Sequence, residues 1–138
     1  MAYSTATFQA TSILLYIHFK TEEERYDYLS TKSIAEMLNI PAPTVVKIIS
    51  KLNGAGLIQT KEGAKGGNLL TKRISEITML DVFIAVEQGK PLFKIQQSFN
   101  IEYDGLDSIV DKGVSCLTNA EKAMKASLDS VTLSELIE

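Results

Sequence analysis

The chain holds one cysteine, one histidine and no tryptophan among its 138 residues. Each scarcity excludes something. A single thiol, Cys116, cannot form a disulfide within the chain and suits a reducing compartment, so a cytoplasmic location is expected. The opening Met1-Ala2-Tyr3-Ser4 carries no basic region ahead of its apolar stretch, so no secretory signal is expected. One histidine cannot build a clustered imidazole metal site, and His18 reads as a packed or surface residue of an apolar helix. No metal site and no cofactor are therefore expected. Long apolar runs are missing too. The longest spans Ile13 to Ile17, whereas a membrane span needs about 18 residues or more, so no membrane partner is expected. No nucleophile pairs with a base in the sequence, so no catalytic residue is assigned and an enzyme is not expected. Gly63-Ala64-Lys65-Gly66-Gly67 lacks the spacing of a phosphate-binding P-loop. Asp104, Asp107 and Asp111 recur at helical spacing, as a solvated face does.

What is present is an uneven distribution of charge. The net charge is −3, which taken alone argues against a nucleic-acid partner. Between Ser30 and Arg73, however, stand seven basic residues (Lys32, Lys47, Lys51, Lys61, Lys65, Lys72 and Arg73) against the acids Glu36 and Glu62. That segment carries +5 and the remainder −8. A basic module inside an acidic chain is the electrostatic pattern of an anion-binding face.

Hydrophobic spacing supplies the elements. Phe8, Ile13, Leu14, Leu15, Ile17 and Phe19 crowd a first helix, Ser4 to Lys20, which is expected to be largely buried. Thr21-Glu22-Glu23-Glu24 reads as a capping box or an acidic turn. Ser30 or Thr31 caps a short helix whose apolar face is Ile34, Met37 and Leu38. Asn39-Ile40-Pro41 ends it, because a residue before proline avoids the helical region. A second helix starts near Pro43 and buries Val45, Ile48, Ile49 and Leu52, until Gly54-Ala55-Gly56 stops it. Leu57–Lys61 and Asn68–Thr71 read as strands joined by a glycine-rich turn. Helices follow at Thr78–Glu87 and at about Gly105–Ser130, with Gly113 placed for close packing, and a final turn at Leu133–Ile137. The fold class expected is mainly α with a small β-hairpin, ordered as a winged helix-turn-helix.

That order has a physical logic. The Ser30–Leu38 helix braces the next one and leaves its outer face free to enter a major groove, which is wide enough to admit a helix. The expected contacts to double-stranded DNA are Ser33, Thr44, Lys47 and Lys51 from the helices, and Lys61, Lys65 and Asn68 from the wing. Two alternatives stay open. One is a winged-helix adapter that meets protein. The other is a sensor whose C-terminal region answers an unknown small molecule, or a redox signal through Cys116.

Four blocks taken in order carry a resemblance: Ser33-Ile34-Ala35-Glu36-Met37-Leu38-Asn39-Ile40, Leu52-Asn53-Gly54-Ala55-Gly56-Leu57-Ile58, Gly63-Ala64-Lys65-Gly66-Gly67 and Ile77-Thr78-Met79-Leu80-Asp81-Val82. Together they resemble the Rrf2 family, that of IscR, NsrR and CymR. Pro43-Thr44-Val45-Val46 and Asn68-Leu69-Leu70 look most like its YwnA subgroup. The resemblance implies a bacterial regulator of repressor type, a two-fold homodimer joined through its long C-terminal helix and reading a palindromic operator. It divides the chain into a DNA-binding domain, 1–88, and a linker with dimerisation helices, 89–138. Two departures stand out. Cluster-binding members carry three closely spaced cysteines after the Asp81–Glu87 helix, and none lies between Gly89 and Gly113 here, so an iron–sulfur cluster is not expected. Many members place an arginine before the first wing glycine, to reach into the minor groove. Glu62 stands there in this chain, which shifts the expected wing contact to Lys61 or Lys65.

Overall fold

The computed structural model describes residues 5–88, 90–96 and 98–138. Helix α1 spans Ala6–His18 and buries Ala10, Ile13, Leu14 and Ile17, which recur at three or four residues along one face. The expectation of a largely buried helix holds on that face and is corrected on the other. Phe8 is 79% exposed and Phe19 is exposed, with half-buried Leu15 between them. The crowding of apolar residues thus reflects two stripes rather than full burial. Of the two readings of Thr21–Glu24, the acidic turn agrees with the structure and the capping box does not. The chain leaves α1 through a wide π-turn, Phe19–Glu23, closed by Glu24 N–H donating to Phe19 O at 3.1 Å, and Tyr26 N–H beyond it donates to Lys20 O at 2.9 Å. Lys20 Nζ meets Glu24 at 2.6 Å and lies over the Tyr16 and Tyr26 rings. That hydrogen bond to Glu24 raises the Lys20 pKa above its ordinary value.

Helix α2, Thr31–Leu38, is capped by Ser30, whose hydroxyl accepts the Ser33 N–H at 3.1 Å. Ile34 and Ala35 are buried and Leu38 half-buried, but Met37 is 64% exposed, so the inner face runs through Ala35 and not through Met37. The helix ends on Asn39, at φ 55°, a left-handed conformation that asparagine tolerates. Pro41 caps helix α3, Ala42–Gly54, which buries Val45, Ile48, Ile49 and Leu52. The helix-turn-helix is therefore held by the core rather than by the turn.

The strands β1, Ile58–Lys61, and β2, Gly67–Leu70, form an antiparallel hairpin in the register Ile58↔Leu70 to Lys61↔Gly67. Helix α4, Met79–Glu87, starts with a reciprocal cap: Thr78 N–H donates to Asp81 and Asp81 N–H to the Thr78 hydroxyl. It packs on α1 and α3, with Val82, Ala85 and Val86 buried. Helix α5, Leu106–Asp129, follows, and none of its residues is buried. Leu106, Val110, Val114, Leu117, Met124 and Leu128 are half-buried, and Ile109 is exposed. A Cβ on Gly113 would meet nothing within 4 Å, so the close packing expected there is not made inside the subunit.

The chain then returns to the head. Leu133 is fully buried, its N–H donates to Ile77 O at 2.9 Å, and Met79 N–H donates to Val131 O at 2.8 Å. The final turn is thus a core element. Among the described residues, no helix is long and apolar enough to cross a membrane.

Candidate nucleic-acid interface

The helical repeat sorts α3 into three faces. Val45, Ile48, Ile49 and Leu52 point inward. Pro43, Val46, Lys47 and Ser50 occupy the opposite, exposed face. Thr44 and Lys51 lie between, half-buried on the flank that meets α4. With Lys47 they border a groove of about 510 Å³ shared with Gln9, Glu87 and Lys90.

Of the helix residues picked from sequence, Lys47 alone stands fully on the outer face. Lys51 Nζ donates to Val86 O at 3.1 Å, in the last turn of α4. A cation there satisfies a terminal carbonyl and complements the helix dipole, so Lys51 has a structural partner already. Ser33 is half-buried in the first turn of α2, its backbone N–H held by Ser30. Val46 and Ser50 share that outer face with Lys47 and were not among the residues expected at the site. Both fall opposite the buried set, so their position is legible in the spacing.

The wing is locked to this helix by a chain of side chains. Asn53 donates to the Thr60 hydroxyl at 3.0 Å, and that hydroxyl donates to Asn68 Oδ1 at 2.9 Å. Asn68 Nδ2 then donates to Leu29 O and to the Thr31 hydroxyl, both at 3.1 Å. Asn68 is wholly buried, so it braces the wing from within and offers nothing to an outside partner. Backbone bonds between Leu29 and Asn68, at 2.8 and 3.0 Å, tie the same strand to the entrance of α2. The Thr71 hydroxyl adds a bond to Gly56 O.

The glycines serve this closure. A Cβ on Gly66 would lie 1.9 Å from Lys61 O, and one on Gly67 would lie 2.8 Å from the Leu29 carbonyl. Lys65 and Glu62 are exposed in the turn. Lys61 is exposed at the end of β1, its ammonium 5.4 Å from the Tyr28 ring centroid. The ion pairs among the described residues, Lys20–Glu24 and Arg73–Glu76, involve no lysine of α3 or the wing.

Elsewhere, Cys116 is exposed on α5 beside Lys112 and Asn119. Among the described residues, no three His, Cys, Asp or Glu side chains gather as metal ligands.

A basic recognition helix, braced by a second helix and followed by a wing, is a DNA-reading architecture. The model of the Rrf2 family, described as an iron-dependent transcriptional regulator, matches residues 3–138. This chain belongs to the Rrf2 family. The family is one of helix-turn-helix transcriptional regulators, and the matched region spans 57% of the length of the first curated relative. The chain is 34% identical over 92 residues to that relative, the HTH-type transcriptional regulator YwgB of Bacillus subtilis, a match covering 62% of this chain and 57% of YwgB. Protein rrf2 of Nitratidesulfovibrio vulgaris is 29% identical over 142 residues, covering 99% of this chain and 87% of that protein. Among solved Rrf2 structures, CymR, the global cysteine regulator of B. subtilis, superposes with a TM-score of 0.67 at 26% identity, covering 99% of this chain and 95% of CymR. T. potens IscR shares the fold, with a TM-score of 0.65 at 23% identity over 99% of this chain and 86% of IscR.

Proposed function

We propose that this Rrf2 protein is a cytoplasmic, homodimeric repressor of the YwnA-like subgroup that reads a palindromic operator. Residues 1–88 form the DNA-binding domain, and 89–138 supply the linker and dimerisation helices. The observation that carries the reading is the outer face of α3, exposed and bearing Lys47, on a helix whose opposite side is anchored in the core. Each subunit lays α3 in a major groove, with half-sites spaced by helical turns. Thr44 and Ser33 border the helix, Lys51 on the flank of α3 must release its bond to the Val86 carbonyl to reach DNA, and Lys61 and Lys65 bring the wing to phosphate. Lysine contacts to phosphate supply affinity that falls with salt. The unburied α5 supports the dimer, since its half-buried apolar positions are left for a second copy.

The donor set speaks against an iron–sulfur cluster. Each chain has one thiol, exposed on α5, whereas a cluster takes several thiolates. The protein therefore regulates without that cofactor. Any effector, whether a small molecule or an oxidant of Cys116, acts through the C-terminal region.

The test is Lys47→Ala. Its affinity for genomic duplex selected by the wild type should fall, and the slope of log affinity against log salt should shrink by about one. Unchanged affinity at moderate salt removes the assignment of α3 as the reading helix.

A further inference from the structure

The outer face of α3 is poor in side chains that read bases through paired hydrogen bonds. The helix contains no Arg, Gln, Asp or Glu. Its one carboxamide, Asn53, is engaged with Thr60 at the base of the wing. Lys47 is then the single long polar side chain on that face, and lysine presents a point charge rather than a fixed fork. Beside it stands Val46, 56% exposed, the one branched aliphatic residue of α3 that the core does not bury. Pro43 and Ser50, one turn to either side, keep its surroundings small and leave its methyl groups accessible. A β-branched residue gains nothing for helix propensity in such a place, so its intrinsic preference does not account for it.

Resting on the reading of α3 as the helix in the major groove, we infer that Val46 is a specificity-determining residue that recognises the C5-methyl group of thymine. Only the A·T pair offers an apolar group on its major-groove edge, and a small branched side chain matches it by contact rather than by hydrogen bonding. Ser50 tolerates any neighbouring base. The operator that follows has a thymine at a fixed place in each half-site. Loss of one buried methyl contact corresponds to about a four-fold loss of affinity per half-site.

The experiment uses the full chain and the duplex that the wild type selects from a random-sequence library. Each half-site thymine is replaced in turn by deoxyuridine, which removes the methyl and leaves every hydrogen-bonding atom in place. At one position the wild-type Kd should rise about four-fold, and about sixteen-fold when both half-sites carry the change. Val46→Ala should bind thymine and uracil duplexes alike, and Val46→Ile should retain the discrimination. Circular dichroism should show both variants folded, since the side chain is largely in solvent. A selected half-site lacking thymine overturns the inference, as does a wild type indifferent to uracil or a Val46→Ala protein that still discriminates. If neither Lys47→Ala nor Val46→Ala alters binding to the selected duplex, the placement of α3 fails and the inference with it. If Lys47→Ala alone weakens binding, only the inference fails.

Discussion

Asn68 shows how a residue chosen for one role can serve another. An asparagine in a glycine-rich wing reads as a polar contact, yet its carboxamide joins β2 to β1, to Leu29 and to α2. Removing one partner strands the others in a buried place, which costs more than the bond itself contributes. Thr60→Val should leave Asn68 Oδ1 unsatisfied and lower stability by about 1–3 kcal/mol in urea denaturation. A smaller loss than about 0.5 kcal/mol would show that water replaces the hydroxyl. Gly66→Ala is a backbone problem instead, because the added Cβ falls on the Lys61 carbonyl. The hairpin must open to relieve it, and amide exchange at Lys61 and Gly67 should speed up accordingly. Gly54→Ala provides the contrast. Space around that position is open, so helix propensity alone acts, and a gain of up to about 1 kcal/mol is expected from thermal melting.

At the scale of elements, the sequence was most legible where periodicity and punctuation agreed. Val45, Ile48, Ile49 and Leu52 named the inner face of α3, and all four are buried. The cap at Ser30, the start of α4 and the two wing strands also lie within a residue or so of their expected places. Legibility failed where an apolar residue faces solvent, because hydropathy alone does not say which of two stripes meets the core. Phe8 and Met37 are such cases. Failure of a second kind concerned distant partners. Nothing in Leu133-Ser134-Glu135 announces that it pairs with Ile77, since that contact depends on how α5 folds back. Leu133→Ala should cost about 2–5 kcal/mol, as a fully buried leucine does, and the loss should appear in the melting of the head. A shift confined to α5 would mean that the last turn belongs to that helix and not to the core.

For the whole molecule, the separation of charge and the unburied α5 are two halves of one design. The basic segment draws the head towards phosphate, and the acidic remainder keeps the rest of the surface away from it. In the proposed dimer, helix α5, about 36 Å long by its residue count, is the continuous face on which a second copy packs. Placing Asp at both Ile109 and Leu117 should split the dimer into monomers in sedimentation experiments, because burying paired carboxylates in an apolar seam is costly. Affinity for the operator should then drop steeply, since two half-sites are no longer bound as one unit. A variant that still sediments as a dimer would place the seam elsewhere. The anchoring of Leu133 beside Ile77 has a further consequence, for the order in which the protein is made. Every helix of the head leaves the ribosome well before Leu133 does, so the nascent head waits with a gap in its interior that its own segments cannot fill. A message cut short anywhere in α5 would yield a chain with every DNA-reading residue present and an open core, a natural substrate for cellular proteases.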